Sequence, residues 1–398
     1  MDDYSLVLNA GSSSLKFSVY RQPEGKEWRL ESRGSVESGA SQRIYAKDGV
    51  GRILIDEIPE ATLYDSREAL EELRHWLRSR YEGVQVAGVG HRVVHGGARF
   101  SGPTVITPEV ISELRRLIPL APLHQPYNVA VIEAVAERMP DVPQVACFDT
   151  SFHAGHSSVA QLVPLPSEVR NGGVRRYGFH GLSYEYIASV MPQVAPELAE
   201  ARVIVAHLGN GASMCAMKNC KSIDSTLGFS ALDGLCMGTR PGSLDPGVVL
   251  YMFQDLGLSL KDVETILYRK SGLLAISGIS SDMRDLLESK EPAAHLAVEY
   301  FVYRAAKEIG AMAAALGGVD AIVFTAGIGQ NSSEIRARIC KASEWLGVQL
   351  DPAANYRHDK RISGTTSKVS AWVIPTDEEI IIAQHTGALL GFQSTLKN

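Results

Sequence analysis

The start of the chain shows the hydrophobic pattern of β-strands, and two later segments show features of helices. Residues 4 to 20, YSLVLNAGSSSLKFSVY, contain two apolar or aromatic runs separated by Gly and Ser, which predicts a hairpin. Thr107 followed by Pro108 is typical of a helix N-cap and first turn. Residues 66 to 80 predict another helix, because their apolar residues recur at helical spacing: Ala69, Leu70, Leu73, Trp76 and Leu77.

The opening pattern occurs a second time. Residues 202 to 224, RVIVAHLGNGASMCAMKNCKSID, again read as an apolar strand, a turn rich in Gly, Asn and Ser, and a second strand. The two hairpins are separated by roughly 200 residues, about one domain length. The sequence therefore predicts an internal duplication, with two related domains that each bring one such turn.

The last third of the chain alternates helix and strand patterns. Segment 294 to 316 is rich in Ala with helical periodicity, and AIVFTAG at 321 to 327 predicts a strand. We expect a turn at Gly329 to Asn331, followed by a helix capped by Ser332 or Ser333. Alternating strands and helices indicate an α/β protein.

Composition limits the classes of function. The chain has 398 residues, 45% of them hydrophobic and 21% charged, which is typical of a globular protein large enough for two domains. A net charge of -6 argues against a nucleic-acid binder, which needs a basic face. Five cysteines without a CxxC pair suggest neither a disulfide framework nor a zinc site: Cys147, Cys215, Cys220, Cys236 and Cys340.

The N-terminal segment MDDYSLVLNAG lacks the basic start and apolar centre of a signal peptide. No apolar run approaches the ~18 to 20 residues that span a bilayer. We therefore expect a cytoplasmic protein without a membrane segment.

Two glycine-rich turns are candidate phosphate sites. No GxxxxGK[ST] loop occurs, and no GxGxxG follows a strand. Turns rich in Gly and Ser bring backbone N–H groups close to an anion, so NAGSSSLK at 9 to 16 and HLGNGAS at 207 to 213 are candidates. Lys16 would add a positive charge. An ordinary hairpin turn uses the same residues, and either turn alone is weak evidence.

Ten motifs, in order along almost the whole chain, resemble those of the acetate kinase family. They are NAGSSSLKF, GHRVVHGG (90 to 97), PLHQP (122 to 126), FDTSFH (148 to 153), RRYGFHG (175 to 181), HLGNGAS, MGTRPG (237 to 242), SSDMRD (280 to 285), FTAGIGQN (324 to 331) and IPTDEE (374 to 379). The resemblance implies an α/β, duplicated actin-like (ribonuclease H-like) two-domain kinase fold with a central cleft. We expect an N-terminal domain of 1–150 plus 384–398 and a C-terminal nucleotide-binding domain of 151–383.

The implied reaction is reversible, Mg²⁺-dependent transfer of the γ-phosphoryl group of ATP to acetate, giving acetyl phosphate and ADP. The acceptor carboxylate is already ionised at pH 7, so no proton has to be removed. Repulsion between two anions is the main obstacle, and arginine counters it with planar, charge-assisted hydrogen bonds. Arg92 and Arg240 match the family's two active-site arginines.

The resemblance also assigns the other catalytic and metal-binding positions. His180 matches the histidine beside the transferring phosphoryl group, while His124 and His207 match further active-site histidines. Asp149 matches the catalytic aspartate, to which we assign an orienting role for water, Mg²⁺ or an arginine. The metal positions, for Mg²⁺ or Mn²⁺ in its place, are matched by Asn9 and Glu378, with Glu379 a near-equal candidate.

Further positions match nucleotide and substrate contacts. The implied nucleotide-binding residues are Lys16, His207, Leu208, Gly209, Asn210, Gly211, Asp282, Met283, Arg284, Gly327, Ile328, Gly329, Gln330 and Asn331. The implied acetate pocket comprises Arg92, Val94, Leu123, Phe179 and Ala231.

The chain departs from the family pattern at several of these places. Ala231 stands where proline is typical, so we expect propionate to be admitted more readily, although one methylene discriminates by only about 1 to 3 kcal/mol. Gln330 replaces a glutamate, Ser243 an aspartate, and GLSY (181 to 184) the family's GTSH.

Three alternatives stay open. The acid could be propionate or butyrate, the protein could be an actin-like or chaperone-like ATP switch, or it could be a relative that has lost catalysis. The arginine pair argues against the switch, which has no acid acceptor. The resemblance further implies a homodimer whose ligands are ATP and a small carboxylic acid.

Overall fold

The computed structural model describes residues 3–23 and 26–392. They form two compact units: one holds the described parts of Met1–Phe152 and Asp377–Asn398, and the other is His153–Thr376. No helix within the described ranges combines the length and hydrophobicity needed to cross a membrane.

The first unit is built on an eight-stranded mixed sheet. Its strands are β1 (Asp3–Ala10), β2 (Ser14–Gln22), β3 (Arg29–Glu37), β4 (Arg43–Asp48), β5 (Ile53–Glu57), β6 (Val86–Val93), β7 (Thr104–Val105) and β8 (Gln144–Phe148). Their spatial order is β5-β4-β3-β2-β1-β6-β8-β7. Strands β1 to β5 form an antiparallel meander, whereas β1, β6 and β8 run parallel.

Helices cover both faces of this sheet. They are α1 (Ser66–Arg80), α2 (Pro108–Arg116), α3 (Gln125–Arg138) and, from the end of the chain, α15 (Glu378–Leu390). Trp76 of α1 packs on Phe17 with ring centroids 5.4 Å apart, in a core shared with Val89 of β6. Gly88 and Gly90 of β6 point to the opposite face, where an added Cβ would collide with α15. The lack of side chains at these glycines therefore lets α15 pack closely on the sheet.

The second unit is built on a five-stranded sheet. Its strands are β9 (Arg202–Leu208), β10 (Ala212–Lys218), β11 (Lys221–Ser225), β12 (Ala321–Thr325) and β13 (Ser370–Val373), in the order β11-β10-β9-β12-β13. Its helices are α4 (Ser158–Gln161), α5 (Ser167–Arg170), α6 (Gly181–Val194), α7 (Pro246–Gln254), α8 (Leu260–Arg269), α9 (Gly272–Ser277), α10 (Met283–Glu288), α11 (Pro292–Leu316), α12 (Ala326–Asn331), α13 (Ser333–Ala342) and α14 (Pro352–Tyr356).

The two sheets repeat one topology, which confirms the predicted duplicated α/β fold. In each, a three-stranded antiparallel meander is followed by two parallel strands on the far side of its first strand: β3-β2-β1-β6-β8 in one unit and β11-β10-β9-β12-β13 in the other. The predicted hairpins are β1–β2 and β9–β10, and both are antiparallel pairs as expected.

Most of the predicted local elements are confirmed. Helix α1 covers the expected residues, Thr107 caps α2 by accepting a hydrogen bond from the N–H of Val110, and Ser332 caps α13. The end of the strand predicted at 321 to 327 and the turn predicted at Gly329 to Asn331 are wrong. Strand β12 stops at Thr325 and α12 follows at once, through a left-handed Ala326 with φ of 63°.

The boundaries of the units also differ from the expected ones. We expected the final change of domain between residues 383 and 384, but that position lies inside α15, which packs as one helix against the first sheet. The structure has the change between Thr376 and Asp377, and the earlier one between Phe152 and His153 rather than after residue 150.

Candidate active site

In the first unit, the predicted residues lie at the carboxyl ends of the parallel strands. Asn9 is near the end of β1, Arg92 near the end of β6, and Asp149 directly after β8. Strand pairing sets Leu8 beside His91 and Val93 beside Phe148, so these ends are level. The carboxyl edge of parallel strands is where α/β proteins usually bind ligands.

Arg92 and Asp149 form a bidentate salt bridge. The guanidinium donates from Nε to Oδ1 at 3.1 Å and from Nη2 to Oδ2 at 2.6 Å, and its Nη1 donates to Asn9 Oδ1 at 3.3 Å. Burial alone would lower the pKa of Arg92, but Asp149 and Glu378 raise it, so the group stays charged. Burial raises the pKa of Asp149, while Arg92 opposes that rise. Asp149 therefore fixes the orientation of Arg92.

Glu378, the first residue of α15, brings a second carboxyl group to Arg92. Arg92 lies on the face of β6 that α15 covers, and its Nε is 3.7 Å from Glu378 Oε2. Asp377 caps the helix by accepting a hydrogen bond from the N–H of Ile380, and Tyr20 donates to the same carboxylate oxygen at 3.3 Å. Burial raises the pKa of Glu378 to about 7, with Arg92 lowering it and Asp149 and Glu379 raising it further.

These groups fit a divalent cation. Asp149, Glu378 and Glu379 bring three carboxyl groups toward Arg92 and Lys16, so carboxyl groups outnumber cationic groups there. Across the described part of the chain, no group of three or more His, Cys, Asp or Glu side chains is arranged to hold a metal. A magnesium ion held by few protein oxygens and completed by water and phosphate does not need such a group.

The first glycine-rich turn is tight and open to solvent. Gly11 donates its N–H to the carbonyl of Ser14 at 2.8 Å, and Lys16 pairs across the hairpin with Asn9. Ser12, Ser13 and Lys16 are exposed. Their hydroxyls and ammonium are therefore available to an anion at this turn.

The predicted pocket residues of this unit follow β6 and precede α3. Val94 is buried, Leu123 is half-buried, and His124 is the N-cap residue of α3. Asn128, which we did not predict, accepts from the N–H of Val94 at 3.1 Å and donates to the carbonyl of Ala10 at 3.2 Å. The signal for Asn128 was a polar residue which, like Gln125, lies on the mostly apolar buried face of α3.

In the second unit, the hairpin turn at Gly209, Asn210 and Gly211 is the centre of the predicted residues. Leu208 pairs with Ala212 across it, and the N–H of Gly238 donates to the carbonyl of Asn210 at 3.0 Å. A Cβ at Gly211 would lie 2.6 Å from Arg240 Nη2 and 3.3 Å from His180 Nε2. The glycine therefore leaves room for two cationic or donor groups beside the turn.

Three histidine and arginine side chains around this turn are firmly held. His180 has a left-handed backbone with φ of 57° at the start of α6, and its ring stacks on His207 with centroids 4.3 Å apart. His207 Nδ1 lies 2.8 Å from Ser183 Oγ, which donates to Thr376 Oγ1. Arg240 donates from Nη1 to the carbonyl of Ala231 at 2.7 Å. Sequence reasoning assigned no role to Ser183, although it lies in the GLSY segment at 181 to 184.

The remaining predicted nucleotide residues lie at helix starts. Asp282 caps α10 through the N–H of Arg284 and also pairs with its guanidinium at 2.6 Å, while Met283 is buried. Gly327 to Asn331 form most of α12, directly after β12. Phe179 is buried, and its carbonyl lies 3.0 Å from His153 Nε2.

Arg336, which was not among the predicted residues, binds the backbone of α12. Its side chain is fully buried, and Nη1 donates to the carbonyls of Gly329 and Gln330, each at 2.9 Å. Nε and Nη2 donate to Asn355. Burial lowers the pKa of Arg336 to about 10. Gln330 Oε1 is buried without a hydrogen-bond partner among the described residues.

Comparison with known proteins places these residues in a family context. The family model described as the acetokinase family matches residues 4–384. An acetate kinase of Rhodopseudomonas palustris (strain ATCC BAA-98 / CGA009) is 53% identical over 98% of this chain and 99% of its own length, and one of Rhizobium meliloti is 50% identical over 98% of both.

Two solved structures are also similar. A propionate kinase from Francisella tularensis subsp. tularensis SCHU S4 has a TM-score of 0.90 and 35% identity, covering 97% of this chain and 99% of its own. Porphyromonas gingivalis acetate kinase has a TM-score of 0.86 and 37% identity, covering 98% and 100%.

Proposed function

The chain belongs to the acetokinase family, and on that premise we propose that it is an acetate kinase, a phosphotransferase with a carboxyl group as acceptor. It transfers the γ-phosphoryl group of ATP to acetate, reversibly, and releases acetyl phosphate and ADP. The observation that carries this proposal is the family match over residues 4–384.

The transfer is direct and in line. An acetate oxygen forms a bond to the γ-phosphorus while the bond from that phosphorus to the β,γ-bridging oxygen breaks, and the bridging oxygen leaves with ADP. No proton is transferred, because both the acceptor and the leaving group are anions near neutral pH. Protein groups therefore act by positioning and by opposing negative charge.

Arg92 binds the acetate carboxylate in this scheme, and Asp149 orients the guanidinium of Arg92. Both carboxylate oxygens of Asp149 already accept hydrogen bonds from Arg92, which supports an orienting role over that of a base. We assign the apolar contacts to the acetate methyl group to Val94, Leu123, Phe179 and Ala231, the positions that the family resemblance implies.

Arg240 and His180 act on the phosphoryl group. Their Nη2 and Nε2 atoms both border Gly211, so they can donate to one anion at the turn. Fixed donors aimed at developing charge commonly lower a barrier by ~3 to 4 kcal/mol each. The neighbouring turn residues 208 to 211, with His207 and Lys16, bind the ATP phosphates.

The adenosine part of ATP is bound by Asp282, Met283 and Arg284 and by residues 327 to 331. The second unit is thus the nucleotide-binding domain in this assignment. Mg²⁺, for which Mn²⁺ can substitute, would be held by Asn9 and Glu378, with Glu379 as the alternative ligand. When bound, the metal neutralises phosphate charge and aligns the γ-phosphoryl group. The surplus of carboxylates at Arg92 supports this assignment.

The protein acts in the cytoplasm as a homodimer under this proposal. The homodimer is what membership of the family implies.

Propionate is the second candidate acceptor. The solved structure with a TM-score of 0.90 is that of a propionate kinase, and Ala231 is small where proline is typical of the family. A smaller residue leaves space for one more methylene, although such space changes specificity only modestly.

A hydroxamate assay tests the proposal. Purified protein, ATP and Mg²⁺ are incubated with formate, acetate, propionate or butyrate, and the acyl phosphate is trapped by hydroxylamine. We expect the highest specificity constant for acetate, with propionate second. An ATP hydrolysis rate that none of the acids changes, with no acyl phosphate formed, would instead identify an ATP switch. The absence of both activities would identify a relative without catalysis.

A further inference from the structure

A pair of buried hydroxyl groups lies behind the ring of His180. Tyr184 follows His180 by one helical turn in α6, and its side chain is fully buried. Its hydroxyl is 2.5 Å from Ser213 Oγ, which is 2.8 Å from His180 Nδ1. Ser213 is itself buried, next to the Gly211 turn on β10. The three side chains form a continuous hydrogen-bonded row.

Counting protons limits what this row can do. A serine hydroxyl has one hydrogen, so Ser213 can donate to His180 or to Tyr184, but not to both. A phenol is more acidic than an aliphatic alcohol, and is the better donor when the two meet. With Tyr184 as the donor to Ser213, the one hydrogen of Ser213 remains available for Nδ1 of His180.

We propose that Tyr184 is a positioning residue which, through Ser213, keeps Nδ1 of His180 a hydrogen-bond acceptor and so reserves the ring proton for Nε2. Nε2 is the atom that faces the Gly211 turn. In this arrangement a neutral imidazole presents an N–H there and not a lone pair. The catalytic consequence rests on the proposed function, in which an anionic phosphoryl group binds at this turn.

Neighbouring contacts fix the ring plane as well. His180 stacks on His207 with an angle of 16° between the rings, and Tyr184 meets His207 edge-on at 6.2 Å. The left-handed backbone of His180 holds the ring at the start of α6. Because stacking fixes the plane of the His180 ring, the hydrogen bonds from Tyr184 through Ser213 to Nδ1 determine which ring nitrogen carries the proton.

The first test reads the tautomer directly and needs no catalysis. Long-range ¹H–¹⁵N spectra of histidine-labelled protein distinguish a protonated nitrogen from a bare one. His180→Gln identifies the signals of His180 among the 11 histidines. We expect Nε2 protonated and Nδ1 bare in the native protein, and a loss of this bias in Tyr184→Phe. Protonation of Nδ1 in the native protein, in a neutral or a charged ring, would overturn the proposal.

The second test measures turnover. Tyr184→Phe and Ser213→Ala should each lower kcat roughly tenfold, less than removal of a donor outright, with KM for ATP and acetate within about twofold. Since both act through one row, the double variant should lose little more than either single variant. Tyr81→Phe is the matched control, because it removes a tyrosine-to-serine hydrogen bond of 2.8 Å in the first unit.

The two tests separate this proposal from the proposed function. A tautomer that changes in Tyr184→Phe while kcat does not would uphold the role of Tyr184 and contradict the catalytic role of His180. An unchanged tautomer together with a kcat equal to that of Tyr81→Phe would overturn the role of Tyr184. Ser213→Ala keeps these outcomes readable should Tyr184→Phe fold poorly, and thermal unfolding of each variant checks the fold.

Discussion

The guanidinium of Arg92 holds both carboxylate oxygens of Asp149, at 3.1 and 2.6 Å, across the ends of two parallel strands. Arg92 keeps 22% of its side chain exposed, whereas Asp149 is almost fully buried. The buried partner therefore fixes the geometry, and the exposed part of the arginine remains able to contact a ligand.

Asp149→Asn should lower kcat about 100-fold, because the amide gives Arg92 only one acceptor oxygen and no opposing charge. Steady-state kinetics with acetate measures the loss. Asp320→Asn is the control, since Asp320 makes the same bidentate salt bridge with Arg202, at 3.0 and 2.6 Å, in the second unit. Equal effects of the two changes would refute a specific role for Asp149.

Glu378 makes the metal-free protein less stable as pH rises. Its pKa is about 7 in the folded state against an ordinary value of 4.5, so the folded protein keeps a proton that the unfolded chain releases. The resulting loss of stability grows as pH rises from 4.5 to 7 and is complete above 7. Below 4.5 it is absent.

Glu378→Gln removes this titration. In the presence of a chelator, the variant should gain on the order of 3 kcal/mol over the native protein at pH 8 and almost nothing at pH 4.5. Denaturant unfolding at both pH values measures the difference. Glu299→Gln, at an exposed position of α11, should show no such pH-dependent gain. A gain of equal size at both pH values would be incompatible with the raised pKa.

Gly211→Ala places a methyl group 2.6 Å from Arg240 Nη2 and 3.3 Å from His180 Nε2. The guanidinium must move, so kcat/KM for ATP should fall by about 10- to 100-fold while the fold persists. Gly155→Ala is the control, because its added Cβ would meet nothing within 4 Å. Normal kinetics in Gly211→Ala would show that Arg240 does not act at the turn.

Ala231→Pro should lower the ratio of kcat/KM for propionate to that for acetate by about 3- to 10-fold, because the larger ring narrows the apolar pocket. Proline keeps the backbone carbonyl of residue 231, so the hydrogen bond that Arg240 donates to this carbonyl can persist. Specificity constants for both acids in both proteins provide the measurement. The hypothesis fails if the ratio is unchanged.

The duplicated fold could be predicted from the sequence because its signal is local. Apolar alternation on both sides of NAGSSS and of LGNG marks each hairpin, and Thr107, Pro108 and Ser332 mark helix starts. The turn expected at residues 329 to 331 is helical instead. Its carbonyls are held by Arg336, a fully buried residue that a single sequence presents as an ordinary surface charge.

The candidate residues could be named from motifs, but their mutual contacts could not. Nothing in the sequence places Glu378 beside Arg92, since this depends on α15 returning to the first sheet over Gly88 and Gly90. Ser213 and Ser183, which fix His180 and His207, are common residues whose roles depend entirely on long-range contacts.

The central claim is that Arg92 and Arg240 are both required to transfer a phosphoryl group between two anions. The most direct measurement is the rate of acyl phosphate formation from ATP and acetate in Arg92→Ala and in Arg240→Ala. Each rate should fall at least about 100-fold, with the thermal unfolding transition retained. Near-native rates in either variant would contradict the account.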